Sequence, residues 1–159
     1  MRRDNACPGS SPAVGFAVAL ALALAASTGV SAQTRDVGTT SLQVEVPALR
    51  NAKGTLNCRL FAEAASFPDG DGARTVRAAI AETQARCVFD GLPPGIYAVA
   101  VVHDENGNGR LDRNILGMPV EGYGVSNNRT YAFSAPRWEE SRFSLLAREP
   151  AVMRIDLRY

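Results

Sequence analysis

From Leu42 onward the chain repeatedly alternates apolar and polar residues with a period of two, the spacing that sets one face of a β-strand on a core and the other in water. Leu42, Val44 and Val46 alternate with Gln43 and Glu45, and Pro47, which has no N–H for a ladder, ends the run. Leu56, Cys58 and Leu60 alternate with Asn57, Arg59 and Phe61, and the turn Asn51-Ala52-Lys53-Gly54 between the two runs predicts a hairpin. Arg74 to Thr83 has two readings. Val76, Ala78 and Ile80 alternate as in a strand, which is the favoured reading, while the alanine content also suits a helix. Cys87 to Phe89 reads as a short strand and Leu92-Pro93-Pro94-Gly95 as a tight turn. Ile96 to Val102 is apolar throughout and predicts a central strand covered on both faces. Arg142 to Ala147 is a further strand candidate. Met153, Ile155 and Leu157 alternate with Arg154, Asp156 and Arg158, so the chain should end inside a sheet. Short strands separated by turns, with no long amphipathic helix, predict an all-β domain: a single antiparallel β-sandwich of about seven strands.

The N-terminus follows a different pattern. Arg2 and Arg3 precede an uncharged apolar run, Val14 to Ala26, and Val30-Ser31-Ala32 supplies the small residues of a signal-peptidase site. Residues 1–32 are therefore expected to be a signal peptide cleaved before Gln33, residues 33–41 a polar flexible segment, and residues 42–159 the β-sandwich. An uncleaved anchor is the lesser alternative, because Ala13 to Val30 reaches only the lower edge of a membrane span. The expected location is periplasmic or secreted, with no stable membrane anchor after cleavage.

Processing changes the charge and cysteine arithmetic. The chain carries 17 Lys and Arg against 16 Asp and Glu, and losing Arg2, Arg3 and Asp4 makes the two signs equal. Without a basic block there is no electrostatic footprint for nucleic acid. Cys7 leaves with the leader, so Cys58 and Cys87 remain as a pair with one possible connectivity in an oxidising compartment. A disulfide between them would stabilise the fold by roughly 3–4 kcal/mol in the chain-entropy model.

Candidate chemistry concentrates after the central strand. His103-Asp104-Glu105-Asn106-Gly107-Asn108-Gly109-Arg110-Leu111-Asp112 places Asp104, Asn106 and Asn108 at i, i+2 and i+4, followed by Gly109 and Asp112. In a tightly curled loop alternate side-chain oxygens point inward to a hard cation, Gly109 permits the sharp turn and the Arg110 carbonyl is a backbone ligand. The candidate calcium ligands are thus Asp104, Asn106, Asn108, Arg110 and Asp112, with Glu121 available to add charge. The twelfth EF-hand position falls on Ile115 instead of a bidentate Glu, so the match is partial. A hairpin turn held by Asn-Gly and Asp side chains is the competing reading. The segment from Gly117 to Asn128 is too rich in Gly, Pro and Asn for regular structure and reads as a long loop. His103, Glu121, Tyr123 and Asn127 are its candidate ligand contacts, for a glycan or a peptide.

The run from Leu92-Pro93-Pro94-Gly95-Ile96-Tyr97-Ala98-Val99 through HDENGNGRLD to GMPVEGYGVSNN, with the strand-rich C-terminus, resembles the bacterial exported proteins of domain of unknown function family 2141. The resemblance covers roughly Leu42 to Tyr159 and implies a compact exported sandwich with no established activity. Phe89 to Val99 is similar to a turn of prealbumin-like sandwich modules, so the implied fold is immunoglobulin- or prealbumin-like.

Enzyme signatures fail individually. One His excludes a metal site of several histidines, Gly124-Val125-Ser126 lacks the closing Gly of a nucleophile elbow, and neither Gly-x-Gly has the third glycine of a dinucleotide loop. The expected function is a non-catalytic binding or envelope-associated module with a calcium-type loop at 104–112. The alternative is a small envelope hydrolase using His103 with Asp104 or Glu121.

Overall fold

The alternating runs form strands that turn their apolar side to a core, and the unbroken apolar run forms the most deeply set strand. The computed structural model describes residues 38–129, 131 and 134–159, so the expected leader lies outside the described residues. β1 (Thr40–Val46) buries Leu42, Val44 and Val46 and exposes Glu45, and β2 (Thr55–Phe61) buries Leu56, Cys58 and Leu60. β3 (Arg74–Ala79) and β4 (Ala85–Leu92) follow, and the strand reading of 74–83 holds over Arg74–Ala79. β5 (Gly95–Asp104) is buried without interruption from Tyr97 to Val101. β6 (Gly122–Val125), a 3-10 turn (Ser126–Asn128), the one-turn α1 (Trp138–Ser141), β7 (Phe143–Leu145) and β8 (Ala151–Arg154) complete the described elements.

The fold is all-β and built on two sheets. One has the order β4-β1-β8, and the other β3-β2-β5-β6 with β7 beside the start of β5. Two expectations are corrected here. The described residues form eight strands, and β1 pairs with β8 in parallel, from Leu42 opposite Ala151 to Glu45 opposite Arg154. Furthermore β1 and β2 are not a hairpin: β1 pairs with β4 and β8, β2 with β3 and β5. Pro47 cannot donate to a continuing ladder, and Leu49 is buried with its N–H on the Thr83 carbonyl at 2.8 Å. Segment 47–54 therefore carries the chain across the core edge from one sheet to the other. Pro93-Pro94, also without N–H donors, makes the same crossing between β4 and β5.

One apolar core takes Leu42, Val44, Cys87 and Phe89 from the first sheet and Leu56, Leu60, Val99 and Val101 from the second. The Cys58–Cys87 disulfide joins β2 to β4 and so ties the sheets together. On the opposite face of β5, Ala100 packs with Phe61 and Val125 beneath Phe67, Tyr131 and Trp138. Phe61, Phe67 and Trp138 meet edge to face, with centroids 5.3 and 6.0 Å apart. Thus β5 is covered on both faces, as its unbroken apolar run requires.

The expectation that 117–128 holds no regular structure is also corrected, because β6 lies within it. Its register places Gly122 opposite His103 and Gly124 opposite Val101, on the core-facing side. A Cβ at Gly122 would stand 2.4 Å from the Tyr159 ring, and one at Gly124 would stand 2.7 Å from Ile155. The glycines are the room in which the C-terminal segment lies. Arg158 bridges to Tyr123 through reciprocal 2.8 Å hydrogen bonds, so a segment that leaves β8 in one sheet finishes against β6 in the other.

Candidate functional site

The connection from β5 to β6 begins as a loop closed by its own hydrogen bonds. Asp104 is 2% exposed, and its carboxylate accepts N–H donors from Asn108 (3.0 Å), Gly109 (2.8 Å) and the Asn57 amide (3.0 Å). The Asn106 side-chain oxygen also accepts from the Asn108 N–H at 3.0 Å, and that of Asn108 accepts from the Arg110 N–H at 2.9 Å. The Asn106 and Asn108 amides donate to the two Asp112 oxygens at 2.5 and 2.8 Å. Glu121, 4% exposed, closes the ring: its carboxylate accepts the Glu105 N–H at 2.9 Å and the Asp112 N–H at 3.1 Å. Gly109 sits at φ +78°, which makes the sharp turn available without strain.

The structure therefore gathers the expected ligand residues Asp104, Asn106, Asn108 and Asp112 into one loop. Among the described residues no group of three or more His, Cys, Asp and Glu side chains is placed to hold a metal ion. A calcium ion would instead draw on the Asn106 and Asn108 oxygens and the Arg110 carbonyl, and would have to displace the two amide donors from Asp112.

His103 is fully buried at the end of β5, and both ring nitrogens are engaged. Nε2 lies 2.8 Å from the Lys53 carbonyl oxygen and Nδ1 lies 2.8 Å from the Tyr159 hydroxyl. A carbonyl only accepts, so Nε2 carries the proton and Nδ1 accepts from the tyrosine. The Tyr159 hydroxyl in turn accepts the Arg50 N–H at 3.0 Å, and the Arg50 guanidinium lies over the Tyr159 ring at 4.5 Å. Arg50 also pairs with Glu105 at 2.5 Å. Burial pushes the Glu105 carboxyl up, but the Asn51 hydrogen bond and the bond and charge of Arg50 outweigh it and hold the group below its usual value. Burial, aided by the Glu105 charge, holds the Tyr159 hydroxyl above the usual 10.0 against the opposing pull of Arg50. His103 is thus the anchor of a C-terminal latch. Gly54, at φ +70°, lets the 51–54 turn approach Asp104 where any Cβ would collide with the backbone.

The second half of the connection is a small hairpin. Val120 N–H bonds the Asp112 carbonyl and Asn114 N–H the Met118 carbonyl, both at 2.9 Å, and Arg113 bridges to Pro119. Its tip is a turn from Asn114 to Gly117, closed at 2.9 Å, with Gly117 at φ +77°. The Asn114 side chain accepts the Leu116 and Met118 N–H groups at 2.9 and 3.0 Å. Between this hairpin and the outer face of the larger sheet lies a cleft of about 560 Å³. Val102, Tyr123, Leu111 and Met118 line its apolar part, and Arg59, Arg110 and Arg113 bring three guanidinium groups to it. Arg59 donates to the Gly109 carbonyl at 3.1 Å, and Arg113 donates to the Gly117 carbonyl at 3.2 Å and approaches Asp69 at 3.7 Å. The Arg110 guanidinium has no hydrogen bond or ion pair among the described residues.

Of the four candidate ligand contacts, only Tyr123 faces this cleft. Glu121 and His103 hold the connection and the C-terminus, as described. Asn127, at φ +65°, donates to the Glu140 and Arg142 carbonyls at 3.0 and 3.1 Å and fastens α1 to the end of β6. Sequence reasoning missed Arg59 and the Arg113 side chain, and took Arg110 for its carbonyl alone. The available signal was the change of character within the connection, from polar 104–110 to a stretch holding Leu111, Ile115, Leu116, Met118 and Val120.

No curated protein and no solved structure matched the chain. The family model described as "Uncharacterized protein conserved in bacteria", domain of unknown function 2141, matches residues 44–153, which is more than half of the sequence, and the chain belongs to that family.

Proposed function

We propose that the protein is an exported, non-catalytic binding module, built as a β-sandwich, whose site is the cleft between the 112–120 hairpin and the larger sheet. The observation that carries this reading is the pairing of three arginines with an apolar floor that includes Tyr123. A guanidinium fork binds a carboxylate through two parallel hydrogen bonds, and an apolar wall beside it takes the body of the same ligand. Of the glycan and peptide ligands expected from the sequence, this lining favours a peptide with a carboxylate next to an apolar side chain. Loop 104–112, the calcium-type loop, is on this reading the frame of the site. Its cation reading keeps its own test, a melting curve in calcium and in chelator. Two facts support a non-catalytic role over the hydrolase alternative: His103 has both nitrogens engaged and no exposed surface, and Asp104 and Glu121 both accept backbone N–H groups.

The test is a titration of isotope-labelled protein with a short peptide ending in a free phenylalanine carboxylate, set beside its C-terminal amide. Resonances of Arg59, Arg110 and Tyr123 should shift with the acid at millimolar concentration. The amide, or the acid with Arg110→Gln, should bind about tenfold more weakly, the worth of one charge-assisted hydrogen bond. Shifts confined to residues outside the cleft would refute the assignment.

A further inference from the structure

The hairpin tip exposes more apolar surface than its own fold or the cleft uses: Leu116 borders the cleft yet stays mostly in water, and Ile115 lies outside it. Ile115 is fully exposed, at 102%, and Leu116 is 80% exposed. They are the two central residues of the turn, and its geometry is set by others: Asn114 caps it and Gly117 takes the left-handed position. Polar residues would serve that turn equally well, so the fold gives no reason for an apolar pair there. The pair is also held rigidly outward. The hairpin ladder and the Glu121 clamp behind it fix the tip, and Ile115 does not line the cleft.

The charges around the tip are arranged unevenly. The Arg110 guanidinium has no hydrogen bond or ion pair among the described residues, and Arg113 has a hydrogen bond to the Gly117 carbonyl and, as its one carboxylate among the described residues, a long contact with the exposed Asp69. The acids of the same connection are engaged: Asp104 and Glu121 are buried against N–H groups, and Asp112 takes the Asn106 and Asn108 amides. Two exposed apolar side chains at the end of a rigid arm, with Arg113 on the Gly117 carbonyl of the same turn and Arg110 beside the hairpin, match a bilayer surface whose anionic headgroups overlie hydrocarbon.

We infer that the 113–118 tip docks the protein on an anionic phospholipid membrane, with Ile115 and Leu116 in the acyl boundary and Arg110 and Arg113 among the headgroups. This goes beyond the ligand reading of the cleft: Arg110, Arg113 and Leu116 border the cleft as well, and Ile115, outside it, is the residue that separates the two readings. Two small side chains and two charges give a reversible attachment, on the order of a single acyl chain with a partition constant of about 10⁴ M⁻¹.

The experiment places a reporter on the tip. Ile115→Trp protein is mixed with vesicles of phosphatidylcholine alone and of phosphatidylcholine with phosphatidylglycerol. The new indole should shift to the blue and be quenched by brominated lipid only with the anionic vesicles. Because the indole sits on the tip, its quenching is independent of any apolar segment elsewhere in the chain. In vesicle sedimentation, Ile115→Ser with Leu116→Ser should lower the partition constant about 100-fold, and Arg110→Gln with Arg113→Gln about 25-fold. Any of four results overturns the inference: an unquenched indole, equal partition on neutral vesicles, a double-serine variant within about twofold of the parent, or lipid-free self-association that the serine substitutions abolish.

Discussion

The two halves of the β5–β6 connection carry opposite kinds of residue and use them in opposite ways. In residues 104–112 the polar groups are dense, and nearly every side-chain oxygen already accepts a donor from within the chain. In residues 113–120 the large apolar side chains Ile115, Leu116, Met118 and Val120 face solvent. The first half has the stronger sequence motif and spends it on holding itself together. The second half has no motif, and its side chains remain available to something outside the chain. A motif marks where side chains converge, and only their bonding state tells whether they converge on a ligand or on their own backbone. Glu121 joins the halves, because one carboxylate fastens both ends of the polar loop at the root of the hairpin.

Breaking the first half should cost most. Asp104→Ala leaves the Gly109 N–H and the Asn57 amide without their acceptor, and the Asn108 N–H with Asn106 alone, at a position 2% exposed. The loss should be about 3 kcal/mol, or roughly a 10 °C fall in Tm for a domain of this size. Asp104→Asn keeps one acceptor oxygen and should lose about half as much. Melting the parent and both variants in calcium and in chelator sharpens the comparison. A loop held by hydrogen bonds alone gives the same decrement in both buffers. A loop that also takes calcium gives a parent that melts higher in calcium and an Asp104→Ala variant that does not. A fall in Tm below about 2 °C for Asp104→Ala would show that the polar half does not hold itself.

Much of the fold was legible because burial on one face writes itself as alternation, as in β1, β2 and β8, and burial on both faces as the unbroken apolar run of β5. What alternation does not encode is which strand lies beside which. Leu42, Val44 and Val46 read identically whether β1 joins β2 in a hairpin or faces it from another sheet, since the same core is buried either way. Gly122 and Gly124 misled for a different reason: they are blank positions in β6 that record the shape of Tyr159 and Ile155, residues more than thirty positions away in sequence. In the site, the pattern singled out the Asp and Asn residues that the structure gathers into one loop, but not the partners of His103 and Glu121. That His103 faces Tyr159 and Lys53 depends on how the segment after β8 and the 51–54 turn run past β5, which no local pattern contains. Arg59 escaped notice because a polar residue on the outward face of a strand is the default.

The C-terminal latch lies between the halves in expected cost. Tyr159→Phe keeps the ring under the Arg50 guanidinium but removes the hydroxyl shared by His103 and Arg50, for a loss of about 1 kcal/mol. The pH dependence has a definite sign. The folded-state pKa of Tyr159 is raised, so its contribution is fully present below 10.0 and is lost as the pH rises through the raised value. The gap in denaturant stability between parent and Tyr159→Phe should therefore be constant from neutral pH to about 9 and narrow above 10. A gap that widens with alkali would mean that the hydroxyl is not held in its neutral form by the latch.

The smallest effect belongs to the exposed half, and it is the one that decides the comparison. Ile115→Ser removes a side chain that is already fully in water, so chemical denaturation should move by no more than about 0.5 kcal/mol, with no change in slope. The turn itself is unaffected, because Asn114 and Gly117 set its conformation. A loss above about 1 kcal/mol would mean that Ile115 is covered in solution, by its own chain or by a second copy. Concentration dependence separates those two: only a covering copy makes the loss grow with protein concentration. Retained stability together with lost vesicle binding is the combination that a side chain kept for an outside surface must give, and Asp104→Ala, which spends its cost inside the fold, cannot produce it.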